Sequence, residues 1–112
     1  MQTSELEGAA LDWAVAKCEG LEEETLDPLT WAHTAHPSGC YSFSTNWAIG
    51  GPIIERHIFR LEDEDGIEER EDRWVAEFGA STQYGPTALI AAMRCYVASK
   101  LGYTVEVPEE LL

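Results

Sequence analysis

The chain has 112 residues, 45% of them hydrophobic, and a formal net charge of −14 from 21 acids against seven lysines and arginines. A chain of this size and apolar content is expected to form one domain that buries a core without disulfide staples, which excludes a disordered protein. The acidic excess repels a phosphate backbone and argues against direct nucleic-acid binding, and no apolar run nears the roughly 20 residues that a membrane helix needs.

Met1-Gln2-Thr3-Ser4-Glu5 has neither a basic flank nor an apolar stretch, so no signal peptide is expected. Ser4 and Glu7 have the spacing of a capping box. Leu6, Ala9, Ala10, Trp13 and Ala14 then recur at helical spacing, which predicts a helix over 5–18 that stops at Gly20. Residues 21–45 read as loop, with an acidic run at Glu22-Glu23-Glu24 and turn signals at Asp27-Pro28 and His36-Pro37-Ser38-Gly39. A loop this long commonly carries function.

Ser44-Thr45-Asn46 offers caps for a helix containing Trp47 and Ile49, but Gly50-Gly51-Pro52 interrupts it. Proline suits the first turn of a helix better than its middle. One kinked helix from residue 46 and a helix starting at Pro52 are both compatible with the pattern. Residues 58–62 and 70–78 alternate as two strands of a hairpin, with Phe59 and Leu61 on one face and Trp74, Ala76 and Phe78 on the other strand's buried face. An acidic tip joins them around Asp65-Gly66. Tyr84-Gly85-Pro86-Thr87 leads into the strongest helix pattern, with Leu89, Ile90, Ala92, Met93, Tyr96, Val97 and Leu101 forming a broad apolar stripe that Gly102 ends. Trp74 and Met93 are expected in the core. Tyr103, Val105 and Val107 alternate as a possible third strand.

Several segments together resemble the NinX family of tailed bacteriophages. They are Leu11-Asp12-Trp13-Ala14-Val15-Ala16, then Tyr41-Ser42-Phe43-Ser44-Thr45-Asn46-Trp47, and Gly50-Gly51-Pro52-Ile53-Ile54-Glu55-Arg56. The likeness continues through Trp74-Val75-Ala76 and the stretch from Tyr84 to Arg94, and ends near Val105-Glu106-Val107-Pro108. Residues 22–40 and the acidic tip match nothing in that pattern. The order of elements is also similar to small phage domains of α-β-α sandwich form. The resemblance implies phage origin and a role in the host cytoplasm, and it brings no activity and no catalytic residues. With the elements above, the expected fold is α+β: one domain over 1–112, with three helices around a small, mainly antiparallel sheet, α-β-α sandwich-like.

Gly51-Pro52 and Gly85-Pro86 read as two helix starts where a backbone with little steric cover can meet an anion. Thr45 and Thr87 add hydroxyls, Tyr41, Trp47 and Tyr84 add rings that can stack, and Arg56 and Arg94 add forks that can grip a phosphate. The plainer alternative is ordinary capping with the aromatics in the core. His33, His36 and Cys40, with His57, fall short of a paired four-ligand set, so no metal is expected. Cys18, Cys40 and Cys95 are odd in number and unpaired in spacing, which fits a reducing compartment. No nucleophile elbow or Ser-His-Asp arrangement appears, so neither an enzyme nor a cofactor is expected.

The leading expectation is a non-enzymatic phage binding protein that sequesters a small phosphorylated or nucleotide-like molecule, such as a host defence signal. The alternative is an acidic inhibitor of a host protein, acting by protein–protein binding or nucleic-acid mimicry, with residues 62–72 as the candidate surface. Ligand capture requires Arg56, Arg94 and an aromatic to converge. Mimicry requires the acids to form one face. The pattern leaves open the ligand, the partner and whether the chain forms homo-oligomers.

Overall fold

The computed structural model describes residues 1–20, 42–57, 60–63, 73–79, 81–107 and 111. In chain order these form a 3-10 turn at Thr3–Glu5, helix α1 at Gly8–Cys18, helix α2 at Trp47–His57, strands β1 at Arg60–Asp63, β2 at Trp74–Phe78 and β3 at Ser81–Gly85, and helix α3 at Ala88–Leu101. Among the described residues the fold is therefore α+β, with three helices and a 3-stranded antiparallel sheet in the order β1-β2-β3. None of these helices is long and apolar enough to cross a membrane.

The hairpin register puts Leu61 opposite Ala76, and Ala76 opposite Gln83. Side chains alternate along a strand, so Leu61, Trp74, Ala76, Phe78, Ser81, Gln83 and Gly85 share one face. That face meets α3. A Cβ at Gly85 would lie 2.6 Å from Ala91 N, and the Cys95 thiol donates to Ser81 O at 3.4 Å. Small residues at Ala76, Ser81 and Gly85 let the helix settle close to the strands. Strand β3 was not expected from the sequence. Its inward residues are Ser81, Gln83 and Gly85, all buried, so it has no apolar alternation to read. Gly79, at φ 58°, begins the two-residue connection from Phe78 to Ser81.

Helix α3 is central. The sheet lies against it, and α1 and α2 also pack on it. This explains why every residue from Ala91 to Ala98 is buried and the helix has no solvated face. Met93 is fully buried as expected, whereas Trp74 is only partly buried.

The N-terminus departs from its local pattern. Helix α1 begins at Gly8, and its N-cap Glu7 is extended without a side-chain cap, so the Ser4–Glu7 capping box does not form. Tertiary bonds win instead. Thr3 N–H donates to Tyr103 O at 2.8 Å and its hydroxyl to Gly102 O at 2.7 Å. The Met1 amine donates to Val105 O, and Val105 N–H donates back to Met1 O. Leu6 is fully buried, and Gly8, at φ 56°, lets the chain turn into the helix. Residues 103–107 form no strand of the sheet. They make a single antiparallel bridge, Gln2 with Thr104, because the short N-terminal segment turns away after three residues.

Helix α2 settles the placement left open by Gly50-Gly51-Pro52: it is one helix from Trp47 with Pro52 inside it. Asn46 Oδ1 accepts from Ala48 N–H at 3.0 Å and so caps the start. Gly50 is the close-contact position. A Cβ there would run into Phe43 O and lie 2.7 Å from Leu89 Cδ1, so only glycine lets α2 rest on α3.

Candidate functional site

Two packing contacts bring the starts of α2 and α3 together. Gly50 seats the first turns of α2 on Leu89 of α3. Trp74, the first residue of β2, pairs with Gly85, the last of β3, so it stands beside the exit into α3. Between these elements lies an open cleft of about 510 Å³. Ser44, Thr45 and Trp47 line it from the start of α2, Trp74 from the sheet, and Pro86 to Ile90 from the start of α3.

Its walls are mostly apolar and aromatic. Trp47 is 54% exposed and presents its ring at the rim of this apolar surface. At the start of α3, the Thr87 hydroxyl accepts from Ile90 N–H at 3.1 Å, and Thr87 O accepts from Ala91 N–H at 3.0 Å. The first N–H groups of a helix have no partner within it, so those of Ala88 and Leu89 remain to meet a ligand. The Thr87 hydroxyl keeps its own proton to donate.

Ser44 is the best-hidden polar group of the cleft. It is 2% exposed, and its N–H donates to Asp12 Oδ1 at 2.8 Å. Burial raises the Asp12 pKa, and hydrogen bonding from Ser44 offsets part of the rise. The Ser44 hydroxyl lies near enough to act on that carboxylate, yet no acceptor or donor around Ser44 Oγ meets hydrogen-bond geometry.

Of the residues singled out in the sequence, the structure gathers Thr45, Trp47 and Thr87 in the cleft. Tyr41 lies outside the described residues, as do His33, His36 and Cys40. Tyr84 lies on the face of the sheet away from α3, alternate to Gln83 and Gly85. Gly85 is covered by Ala91 and Ile90, so its backbone is closed to an anion. Gly51 is not at a helix start; a Cβ there would meet only the Trp47 ring, at 3.9 Å.

The two arginines do not converge on the cleft. Arg94 is 4% exposed and pins the fold: its Nε donates to Leu6 O and its Nη1 to Tyr84 O, both at 2.8 Å. Arg56 lies at the far end of α2, where its Nη2 bonds Glu19 Oε1 at 2.8 Å. Tyr96 donates to the other oxygen of Glu19 at 2.6 Å, and the His57 ring stacks on Tyr96 with centroids 4.9 Å apart. Burial acts to raise the Glu19 pKa, but the hydrogen bonds from Tyr96 and Arg56 outweigh it and hold the carboxyl below its usual range. Burial, then Glu19, pushes the Tyr96 phenol up.

Burial also pushes the Cys18 thiol up to about 12 and the Cys95 thiol to about 11, so neither is a ready nucleophile. Among the described residues no three His, Cys, Asp or Glu side chains gather as a metal site requires. Of the acidic tip, Glu62 pairs with Arg60 and Asp63 with Arg73; residues 64–72 lie outside the described residues.

Sequence reasoning missed Ser44 and Trp74 as parts of this site. Nothing local marks Ser44, whose surroundings come from Asp12 across 32 residues. Alternation along its strand marks Trp74 as core, whereas the ring is only partly buried and lines the cleft.

A family model described as Bacteriophage P22, NinX matches residues 2–100 of the chain. No curated protein matches it.

Proposed function

The chain belongs to the bacteriophage P22 NinX family, and from that premise we propose that it is a non-enzymatic binding protein that sequesters a small nucleotide-like molecule inside the infected host. The supporting observation is the half-exposed Trp47 ring facing Trp74 and the first turn of α3 across one open cleft. A ring that slides into this space stacks on an indole and displaces water from apolar walls, while its polar edge meets the N–H groups of Ala88 and Leu89. Such shape and chemistry are what a preformed small-molecule site needs: a mainly apolar surface with a few fixed polar groups. A host signalling molecule captured this way would be withdrawn from its receptor, which is a counter-defence role.

Calorimetric titration of the full chain with nucleosides and with linear and cyclic nucleotides tests the proposal. Binding by at least one of them should fall in Trp47→Ala by the roughly 1–3 kcal/mol that base stacking on an aromatic supplies. Heat from none of them would reject ligand capture and turn attention to the acidic surface as an inhibitor of a host protein.

A further inference from the structure

The charges around the cleft restrict what it can hold. Among the described residues, none that lines it is Lys, Arg or His. The described arginines are engaged elsewhere: Arg56 with Glu19, Arg60 with Glu62 and Glu77, Arg73 with both oxygens of Asp63, and Arg94 with the carbonyls of Leu6 and Tyr84. Lys17 lies over the Trp13 ring at 5.4 Å. Of the chain's seven lysines and arginines, only Arg70 is outside the described residues. Lys100 lies in the last turn of α3, at the opposite end of that helix from the cleft. Among the described residues, what remains at the cleft to meet negative charge is the pair of N–H groups on Ala88 and Leu89 and a few hydroxyls. A helix N-terminus offers about half an elementary charge. Around it, a net charge of −14 raises the potential against any polyanion.

A second, independent feature points to a ligand. Ser44 lines the cleft, is 2% exposed, and its hydroxyl oxygen has no hydrogen-bond partner. Leaving a buried hydroxyl unmet is costly; its oxygen is sealed from solvent, and a change of side-chain rotamer would turn it toward the cleft, where an incoming neutral polar edge can satisfy it. The nearby Asp12 carboxylate would repel a phosphate brought to the same point.

We infer that the cleft selects an aromatic ring carrying at most one phosphate, of the nucleobase, nucleoside or nucleoside monophosphate class, and rejects polyphosphates. The inference rests on the ligand-binding reading above. The ring stacks on Trp47, the Ser44 hydroxyl bonds its polar edge, and any single phosphate sits at the start of α3. Each added phosphate would meet the acidic field with no cation among the described lining residues to answer it.

The test titrates the full chain with each of four nucleosides, its 5′-monophosphate and its 5′-triphosphate, at low and high salt. For the base that binds, nucleoside and monophosphate should agree within about tenfold, and the triphosphate should bind at least about tenfold more weakly at low salt, with the gap closing as salt screens the field. Ser44→Ala keeps the N–H that holds Asp12 and should weaken nucleoside binding several-fold with an unchanged melting midpoint. A triphosphate that binds more tightly than its nucleoside, or an undiminished affinity in Ser44→Ala, would overturn this selectivity while leaving ligand capture standing. Silence from every compound would instead remove ligand capture itself, and this inference with it.

Discussion

Gly51-Pro52 and Gly85-Pro86 look alike in the sequence, yet substituting alanine at the two glycines should have very different consequences. At Gly85 a new Cβ would sit 2.6 Å from Ala91 N, 3.0 Å from Ala91 Cα and 3.1 Å from Ile90 Cγ2. The nearest atoms are helix backbone, which has no rotamer to change. Strand β3 and helix α3 must therefore part by most of an ångström, opening the interface around Ala76 and Cys95. Overpacking of this kind costs about 1–3 kcal/mol, and this site belongs at the top of the range or beyond it. At Gly51 the new Cβ would meet only the Trp47 ring at 3.9 Å. Alanine gains about 1 kcal/mol over glycine within a helix. The following Pro52 opposes that gain, since a Cβ before proline crowds its ring in helical backbone. The two effects should leave Gly51→Ala within about 1 kcal/mol of the native protein. Urea denaturation of the three proteins, compared at equal slope, gives both values. Equal losses at the two glycines would refute the packing argument, as would a Gly85→Ala midpoint that matches the native one.

Arg94→Met should cost about 3–5 kcal/mol, because it removes a buried charge-assisted anchor and strands the carbonyls of Leu6 and Tyr84; a denaturation midpoint like the native one would count against the pin. Met93→Ala should cost about 2–5 kcal/mol by cavity formation, read from the same urea curves. Trp47→Ala should shift stability by no more than about 0.5 kcal/mol, since the ring is half exposed, and a large loss would show that Trp47 serves the core rather than the cleft. Glu19 has a folded-state pKa below its usual 4.5, so its stabilising effect is present above that value and is lost as pH falls through the folded-state pKa. The stability gap between the native protein and Glu19→Gln should therefore narrow from pH 7 toward pH 3, and a gap that widens on acidification would contradict the assigned hydrogen bonds.

Much of the fold was legible because its signals are local. The 3.6-residue recurrence in Leu11 to Cys18 and Leu89 to Leu101 needs only the chain itself, and so do the stops at Gly20 and Gly102, which both take positive φ. The β1–β2 hairpin was readable from alternation in Trp74, Ala76 and Phe78. The site was legible only in part. Thr45, Trp47 and Thr87 flank helix starts, where polar and aromatic residues are easily noticed. Arg56 and Arg94 are of a usually exposed cationic type, but a sequence does not say where a long side chain ends.

What the sequence determined by itself was therefore the class of the protein: an acidic α+β domain whose helices and hairpin follow from spacing and whose segments match one phage family. The tertiary structure decided the rest. It drew residues 1–6 out of the first helix because the carbonyls of Gly102, Tyr103 and Val105 and the guanidinium of Arg94 bind that segment more strongly than a local cap. It made a strand of Ser81–Gly85, whose small and polar inward residues carry no strand signature until a helix lies on them. It also distinguished two identical dipeptides, burying Gly85 under Ala91 and leaving Gly51 beside an exposed ring. Such differences arise from contacts between residues far apart in the chain, and no local pattern encodes the distance at which two backbones come to rest.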